Sequence, residues 1–241
     1  MSSSFSEANR AWWDQDAHRY HESHKRYLSS FYWCPEMLHE KDAHLLGDVI
    51  GKKVLEIGCG SAPCTQWLQG KADLAVGFDL SMGMLKRGAG PLVQADALSM
   101  PFADGAFDIV FSAFGAIPFV ESSLTVLQEA ARVLKPGGRF VMSINHPMRW
   151  IFADDPESFD VVFSYFDRSG YIERDGSTVT YAEQHRTMGD RIRELRQAGF
   201  TIEDLIEPEW PEDLNENWGQ WSPMRGRVFP GTAIFVAKLG V

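Results

Sequence analysis

One stretch constrains this chain more than any other. Val54-Leu55-Glu56-Ile57-Gly58-Cys59-Gly60-Ser61-Ala62 is a short apolar run that carries an acid near its end and opens into a Gly-x-Gly turn. It reads as a buried strand, a tight turn and the start of a helix. The glycines allow the turn and let a ligand lie against bare backbone, with helix N–H groups nearby. A strand of that kind belongs in a βα unit, and the residues that follow repeat the theme. Leu74–Phe78, Leu92-Val93, Phe107–Phe111 and Arg139–Ile144 are further apolar, β-branched or aromatic runs, separated by helical stretches. Continuous apolar strands with helices between them predict an α/β fold whose parallel sheet is covered on both faces.

Around this core, 51–145, lie three less regular regions. The spacing predicts N-terminal helices over 6–28 and 35–50, the second opened by Pro35 at a first helical position, so that 1–50 forms a helical cap. Leu124, Leu127, Ala131 and Leu134 recur at helical spacing; Ser122 or Ser123 is placed to cap that helix and Pro136-Gly137-Gly138 to stop it. Residues 146–187 hold Val161–Phe163, Tyr171-Ile172 and Thr178–Tyr181 around the turn signals Ser169-Gly170 and Asp175-Gly176, which predicts a small antiparallel insertion. A helix over 188–198, with Ile192 and Leu195 inward and Gly199 as its stop, then leads into strands at 200–206 and 232–237. Between them, 207–230 is a long loop rich in proline and tryptophan, and long loops in compact domains are often functional. The whole of 1–241 is expected to form one domain.

The ligand can be argued from three acids. Glu56 stands two residues before the first glycine, where a carboxylate repels a pyrophosphate and suits a cationic amine. Asp79 closes the second strand, 21 residues after Gly58, where an acid accepts from both hydroxyls of a ribose. Asp96 closes the third and can accept from an exocyclic amine such as that of adenine. A nicotinamide dinucleotide fits poorly, because its fingerprint wants glycine where Pro63 stands and Glu56 opposes its phosphates. An adenine, a ribose, a cationic amine and no phosphate describe S-adenosylmethionine.

On these elements the chain resembles the class I S-adenosylmethionine-dependent methyltransferases, in particular the type 11, UbiE-like small-molecule branch. The resemblance rests on Glu56–Gly60, Phe78-Asp79-Leu80-Ser81, Ala95-Asp96-Ala97 with Pro101-Phe102, Phe107–Val110 and Leu134–Gly138, and covers roughly 50–145. It implies a doubly wound, seven-stranded, mostly parallel Rossmann-like sheet whose last strand runs antiparallel. It implies that Glu56 orients the methionine amine, that Gly58, Cys59 and Gly60 cradle the methionine part, that Asp79 and Leu80 hold the ribose, and that Asp96 and Ala97 face the adenine. Trp12, Trp13, Asp14, Ala17 and Tyr20 resemble the lead helix that closes over the cofactor, which places Tyr20 at the site. Ala62 departs from the pattern, since many members have a third glycine there.

Other candidates are weighed against plainer roles. The segment Ser112–Phe119 is apolar and lacks the Asn/Asp-Pro-Pro-aromatic motif of base-methylating enzymes, which points to a small, partly apolar acceptor and places Phe114 in its pocket. His146, just past the fifth strand, is the candidate general base, or else a histidine that orders its loop. Trp33, Trp150, Trp218 and Trp221 are candidates to roof a substrate pocket, or to build a satellite core or a homodimer interface. His18, His21 and His24 read as a solvated helix face, Cys64 as a buried thiol, and no metal is called for. A formal charge of −10 argues against nucleic acid as a partner. The longest nearly apolar stretch, 108–120, is too short to span a bilayer. Three cysteines without CxxC spacing and an amino-terminal stretch, 1–7, with no basic or apolar leader signal lead us to expect a soluble cytoplasmic protein. The function expected is methyl transfer to O, N or C of a small molecule. A non-catalytic cofactor-binding protein and a methyltransferase acting on a protein or peptide are the alternatives.

Overall fold

The structure, a computed structural model, describes residues 4–241; residues 1–3 of the amino-terminal stretch lie outside them. In chain order the elements are α1 (Ser4–Ser23), α2 (Glu40–Ala43), β1 (Lys53–Ile57), α3 (Pro63–Leu68), β2 (Leu74–Asp79), α4 (Met82–Leu85), β3 (Leu92–Gln94), β4 (Phe107–Ala113), α5 (Ser123–Val133), β5 (Leu134–Asn145), β6 (Tyr171–Asp175), β7 (Thr178–Glu183), α6 (Met188–Gln197), β8 (Phe200–Ile206), α7 (Pro223–Gly226) and β9 (Thr232–Leu239). Seven strands form one sheet in the order β3-β2-β1-β4-β5-β9-β8, and β6 and β7 pair separately as an antiparallel hairpin. All sheet pairings are parallel except those of β9, which runs antiparallel to both β5 and β8.

Period-two alternation within each strand splits the core between two faces. Leu55, Ile57, Val110, Phe140 and Met142 pack with Val126, Leu127 and Ala130 of α5. Val54, Ile109, Phe111, Val141 and Ile234 pack on the other side with Phe31, Trp33, Leu46 and Leu68. The chain winds outward from β1 in one direction and from β4 in the other. The carboxyl ends of β1 and β4 therefore flank the point where connections leave to opposite faces, which opens a crevice there.

Several local expectations are corrected. The helix expected over 35–50 shrinks to the single turn of α2. His44 takes a left-handed φ of 52°, and the buried Glu40 carboxylate accepts from the backbone N–H groups of Leu45 and Leu46 and from the Trp33 indole, so the backbone turns instead of continuing. Pro136-Gly137-Gly138 does not stop α5: the helix ends at Val133, Leu134 already pairs with Phe107, and the glycines lie within β5. In α6, Leu195 is buried but Ile192 is exposed; the inward position beside it is taken by Arg191, paired to Glu194 at 3.1 Å. Val161–Phe163 stays outside the hairpin and is exposed, with one isolated bridge between Val161 and Phe152.

The loop over 207–230 is pinned rather than loose. The buried Arg225 guanidinium donates to the carbonyls of Ala153, Ser158 and Gln220 at 2.8–2.9 Å, tying this loop to the insertion. At the other end of the chain, Asn9 of α1 donates to Phe119 O and Ala182 O and accepts from Ala182 N, which clamps the lead helix across β7. No helix of the described residues is long and apolar enough to cross a membrane.

Candidate active site

The floor of the crevice is built from strand ends. After β1 the chain takes three left-handed residues in five: Gly58 at φ 67°, Gly60 at 55° and Ala62 at 59°. At Gly58 glycine is needed twice over, because a Cβ there would also stand 2.6 Å from the Ala116 backbone nitrogen. This close packing lets the turn after β1 nest against the turn after β4. Ala62 holds its strained backbone with its methyl fully buried against Cys59 and Leu85, then leads into Pro63 at the start of α3.

Each acid is already oriented by the chain around it. Glu56 is 2% exposed, and its Oε2 accepts from both Thr65 N at 2.9 Å and Thr65 Oγ1 at 2.5 Å, which leaves Oε1 outside both bonds. Burial raises its pKa to about 7 against the bonds from Thr65 that lower it. Asp79 accepts from Gly60 N through Oδ2 and from Ser81 N through Oδ1, each at 2.8 Å, and burial raises its pKa. It thus ties the glycine turn to the next βα turn. Asp96 caps its own turn, with Oδ1 accepting from Leu98 N at 2.9 Å.

The roof comes from distant parts of the chain. Asp14 of α1 accepts from Ser81 Oγ at 2.6 Å and Gly83 N at 2.7 Å, which seats the lead helix over α4. Burial raises the pKa of Tyr20, so its hydroxyl stays protonated. From the late loop, the Trp218 ring lies 3.9 Å from that of His24 and 4.9 Å from that of Tyr27. Burial lowers the His24 pKa, so this contact is one between neutral rings near pH 7. Trp218 and Trp221 exchange two backbone hydrogen bonds of 2.8 Å.

Floor and roof enclose a cavity of about 260 Å³. Glu56, Gly58, Cys59, Gly60, Asp79, Leu80, Asp96, Ala97 and Tyr20 all border it, as do Phe114, Trp218 and Trp221. Three expected residues do not. His146 caps the turn at Pro147–Ile151 by accepting from Met148 N, and its other nitrogen lies 2.8 Å from Glu207 Oε1; with both nitrogens engaged it orders a loop, and the catalytic expectation is corrected. Trp33 is fully buried beneath the sheet, its ring 4.9 Å from that of Phe31 and 5.7 Å from that of Phe111, so it is core rather than pocket. Trp150 faces away, between the His185 ring at 5.3 Å and the Arg149 guanidinium at 5.1 Å. Cys64 borders the cavity, but burial and the neighbouring Glu56 push its thiol well above the usual range, which suits a packed thiol and not a nucleophile.

Sequence reasoning missed the far wall. Asn145, Arg149, Tyr181 and Glu183 also border the cavity. Asn145 was within reach of the rule that strand carboxyl ends line the crevice, since it ends β5, one residue before His146. Arg149 and Glu183 carried no signal, because only the folding back of the insertion brings them there.

Known proteins resemble this arrangement. A family described as "Methyltransferase domain", type 11, matches residues 55–142. A demethylmenaquinone methyltransferase from Corynebacterium kroppenstedtii is 42% identical over 95 residues, covering 38% of this chain and 41% of its own length. One from Mycolicibacterium vanbaalenii is 43% identical over 105 residues, 42% of this chain and 46% of its own. The chain thus spans less than half the length of these relatives. A solved S-adenosylmethionine dependent methyltransferase from Mesorhizobium loti superposes with a TM-score of 0.65 at 24% identity, over 83% of this chain and 97% of its own, which shows the shared fold. With its strand order the chain shares the fold of this solved methyltransferase, and its segment 55–142, which holds the glycine turn, is similar to the type 11 methyltransferase domain.

Proposed function

We propose that this protein methylates a small, partly apolar molecule with S-adenosylmethionine as donor. The observation that carries the proposal is the placement of Glu56, Asp79 and Asp96, acids from three neighbouring strand ends, on one cavity that continues past them to a second wall. The residues fit the donor. Glu56 has one oxygen outside its bonds with Thr65 and stands ready for an ammonium group. Gly58 and Gly60, both in left-handed backbone, form the tight turn that borders the cavity beside Glu56. Asp79 and Asp96 keep lone pairs for hydroxyls and an amine.

When bound, S-adenosylmethionine supplies a methyl group on a sulfonium, a good leaving group that needs little activation. The protein's contribution is alignment and exclusion of water. Trp218, Tyr20 and Phe114 cover the cavity, and the left-handed φ of 59° at Phe114 holds a ring-bearing residue where the turn after β4 would favour glycine. The methyl moves from sulfur to the acceptor atom and leaves S-adenosylhomocysteine; an acceptor atom that is already ionised has no proton to lose, and His146 does not border the cavity to take one. The named relatives methylate demethylmenaquinone, which supports a ring-shaped acceptor. The open second wall supports catalysis over mere cofactor binding.

The test is calorimetric titration with S-adenosylhomocysteine and, separately, NAD. Binding of the nucleoside but not NAD, weakened in Asp79→Asn, is the expected result; binding of neither sinks the proposal.

A further inference from the structure

The cavity's far wall carries a charged pair, Arg149 and Glu183. Arg149 Nη2 donates to Glu183 Oε1 at 2.7 Å, Asn145 Nδ2 donates to the same oxygen at 3.0 Å, and Tyr181 Oη donates to Glu183 Oε2 at 3.3 Å. The Arg149 and Glu183 side chains are only 14% and 10% exposed. Three elements converge here: the end of β5, the short turn at Pro147–Ile151 and the end of β7.

The two charges are unequally satisfied. Glu183 receives donors on both oxygens. A guanidinium has five N–H donors, and these bonds engage one of its three nitrogens, while the buried Nε has no partner. Arg149 is also the only Arg or Lys among the described residues bordering the cavity, against Glu56, Asp79, Asp96 and Glu183. A partly desolvated guanidinium with donors to spare binds oxyanions strongly. Glu183, itself fixed by Asn145 and Tyr181, sets the plane of the fork.

We propose that this wall selects the acceptor, and that the acceptor is a small ring-bearing molecule with an anionic oxygen, a carboxylate or an ionised phenol, that pairs with Arg149. Glu183 is the positioning residue. The scale agrees: β1 and β5 are separated by β4 alone, so their ends lie roughly 10 Å apart, enough for one or two rings between the glycine turn and Arg149. Phe119, Val120 and Trp13 border the cavity and offer such rings an apolar setting. With its anionic group on Arg149, the acceptor turns its opposite end toward the strand-end acids. The inference rests on the methyl-transfer reading of the cavity.

The experiment titrates the full chain, saturated with S-adenosylhomocysteine, with 2-naphthoate, 1-nitro-2-naphthol, 2-naphthamide and 2-naphthylmethylamine. We expect the anionic probes to bind about tenfold tighter than the amide, the size of one charge-assisted hydrogen bond. The naphthoate and the nitronaphthol separate carboxylate from phenolate. In Arg149→Gln the preference falls to about parity while S-adenosylhomocysteine affinity stays within about twofold, because the substitution removes only the oxyanion partner. Glu183→Gln acts in the opposite direction and strengthens the preference, so the proposal remains testable if Arg149→Gln does not fold. No anion preference in the unaltered chain, a preference that survives Arg149→Gln, or tightest binding by the amine would each overturn it. Failure of S-adenosylhomocysteine to bind would sink the methyl-transfer reading instead. An anion preference lost in Arg149→Gln would then still mark an oxyanion site.

Discussion

The floor and the roof of the cavity are held by bonds of different reach. On the floor, Glu56 is fixed by Thr65, nine residues away, and Asp79 by Ser81 and Gly60, two and nineteen away. On the roof, Asn9 reaches Ala182 across 173 residues, and Arg225 reaches Ala153 across 72. The floor is therefore a local device that one stretch of chain nearly completes by itself. The roof exists only once the sheet has brought the two ends of the chain together. The groups proposed to bind the donor lie mostly on the first, and the wall proposed to select the acceptor, like the second, is closed by contacts between distant segments.

Breaking the floor should have the largest effect. Gly58→Ala combines a left-handed backbone with a clash against Ala116, and we expect a loss of about 3 kcal/mol in urea unfolding together with loss of S-adenosylhomocysteine binding. Gly51→Ala is the control. Its φ of 69° is close to that of Gly58 but it has open space around it, and its loss should be about 1 kcal/mol. Equal losses at the two glycines would remove the argument from close packing.

Opening the roof comes next. Asn9→Ala leaves the Ala182 amide and two carbonyls without their partner, which should lower stability by about 2 kcal/mol and speed hydrogen exchange at Ala182. Unchanged exchange there would show that α1 is held by its rings alone.

Glu56 sharpens the contrast through pH. Burial raises its pKa from 4.5 to about 7, so the folded state binds its proton more tightly than the unfolded chain does. That contribution to stability is complete below 4.5 and is lost as the pH rises through about 7. An ammonium ligand favours the ionised carboxylate, so affinity for S-adenosylhomocysteine should rise by up to about tenfold per pH unit on approaching 7 and then level off. The same steepness in Glu56→Gln would assign the dependence to another group.

The smallest effect is expected at Ala62. Ala62→Gly relieves roughly 1 kcal/mol of left-handed strain and gives up a buried methyl worth about 0.8 kcal/mol, so thermal unfolding should hardly change. A shift of more than about 1 kcal/mol either way would mean that one of these opposed effects is misjudged.

The sequence alone determined the parts whose causes are local. The β1 run, its glycine turn and the acids at the ends of β1, β2 and β3 are legible because strand burial, left-handed turns and strand-end placement follow from neighbouring residues. The strand at 200–206 and the Asp175-Gly176 hairpin are legible for the same reason. Only the tertiary structure decided which aromatics meet the cavity. Trp33 and Trp218 look alike as residues, yet one is packed against Phe31 in the core and the other lies at a tilt against His24 above the crevice. It also decided that His146 spends both nitrogens on its own loop and on Glu207, while Arg149, three residues on, borders the cavity beside Glu183. Side chains that meet across a hundred residues share no spacing rule; the sheet's register and the return of the insertion set their distance.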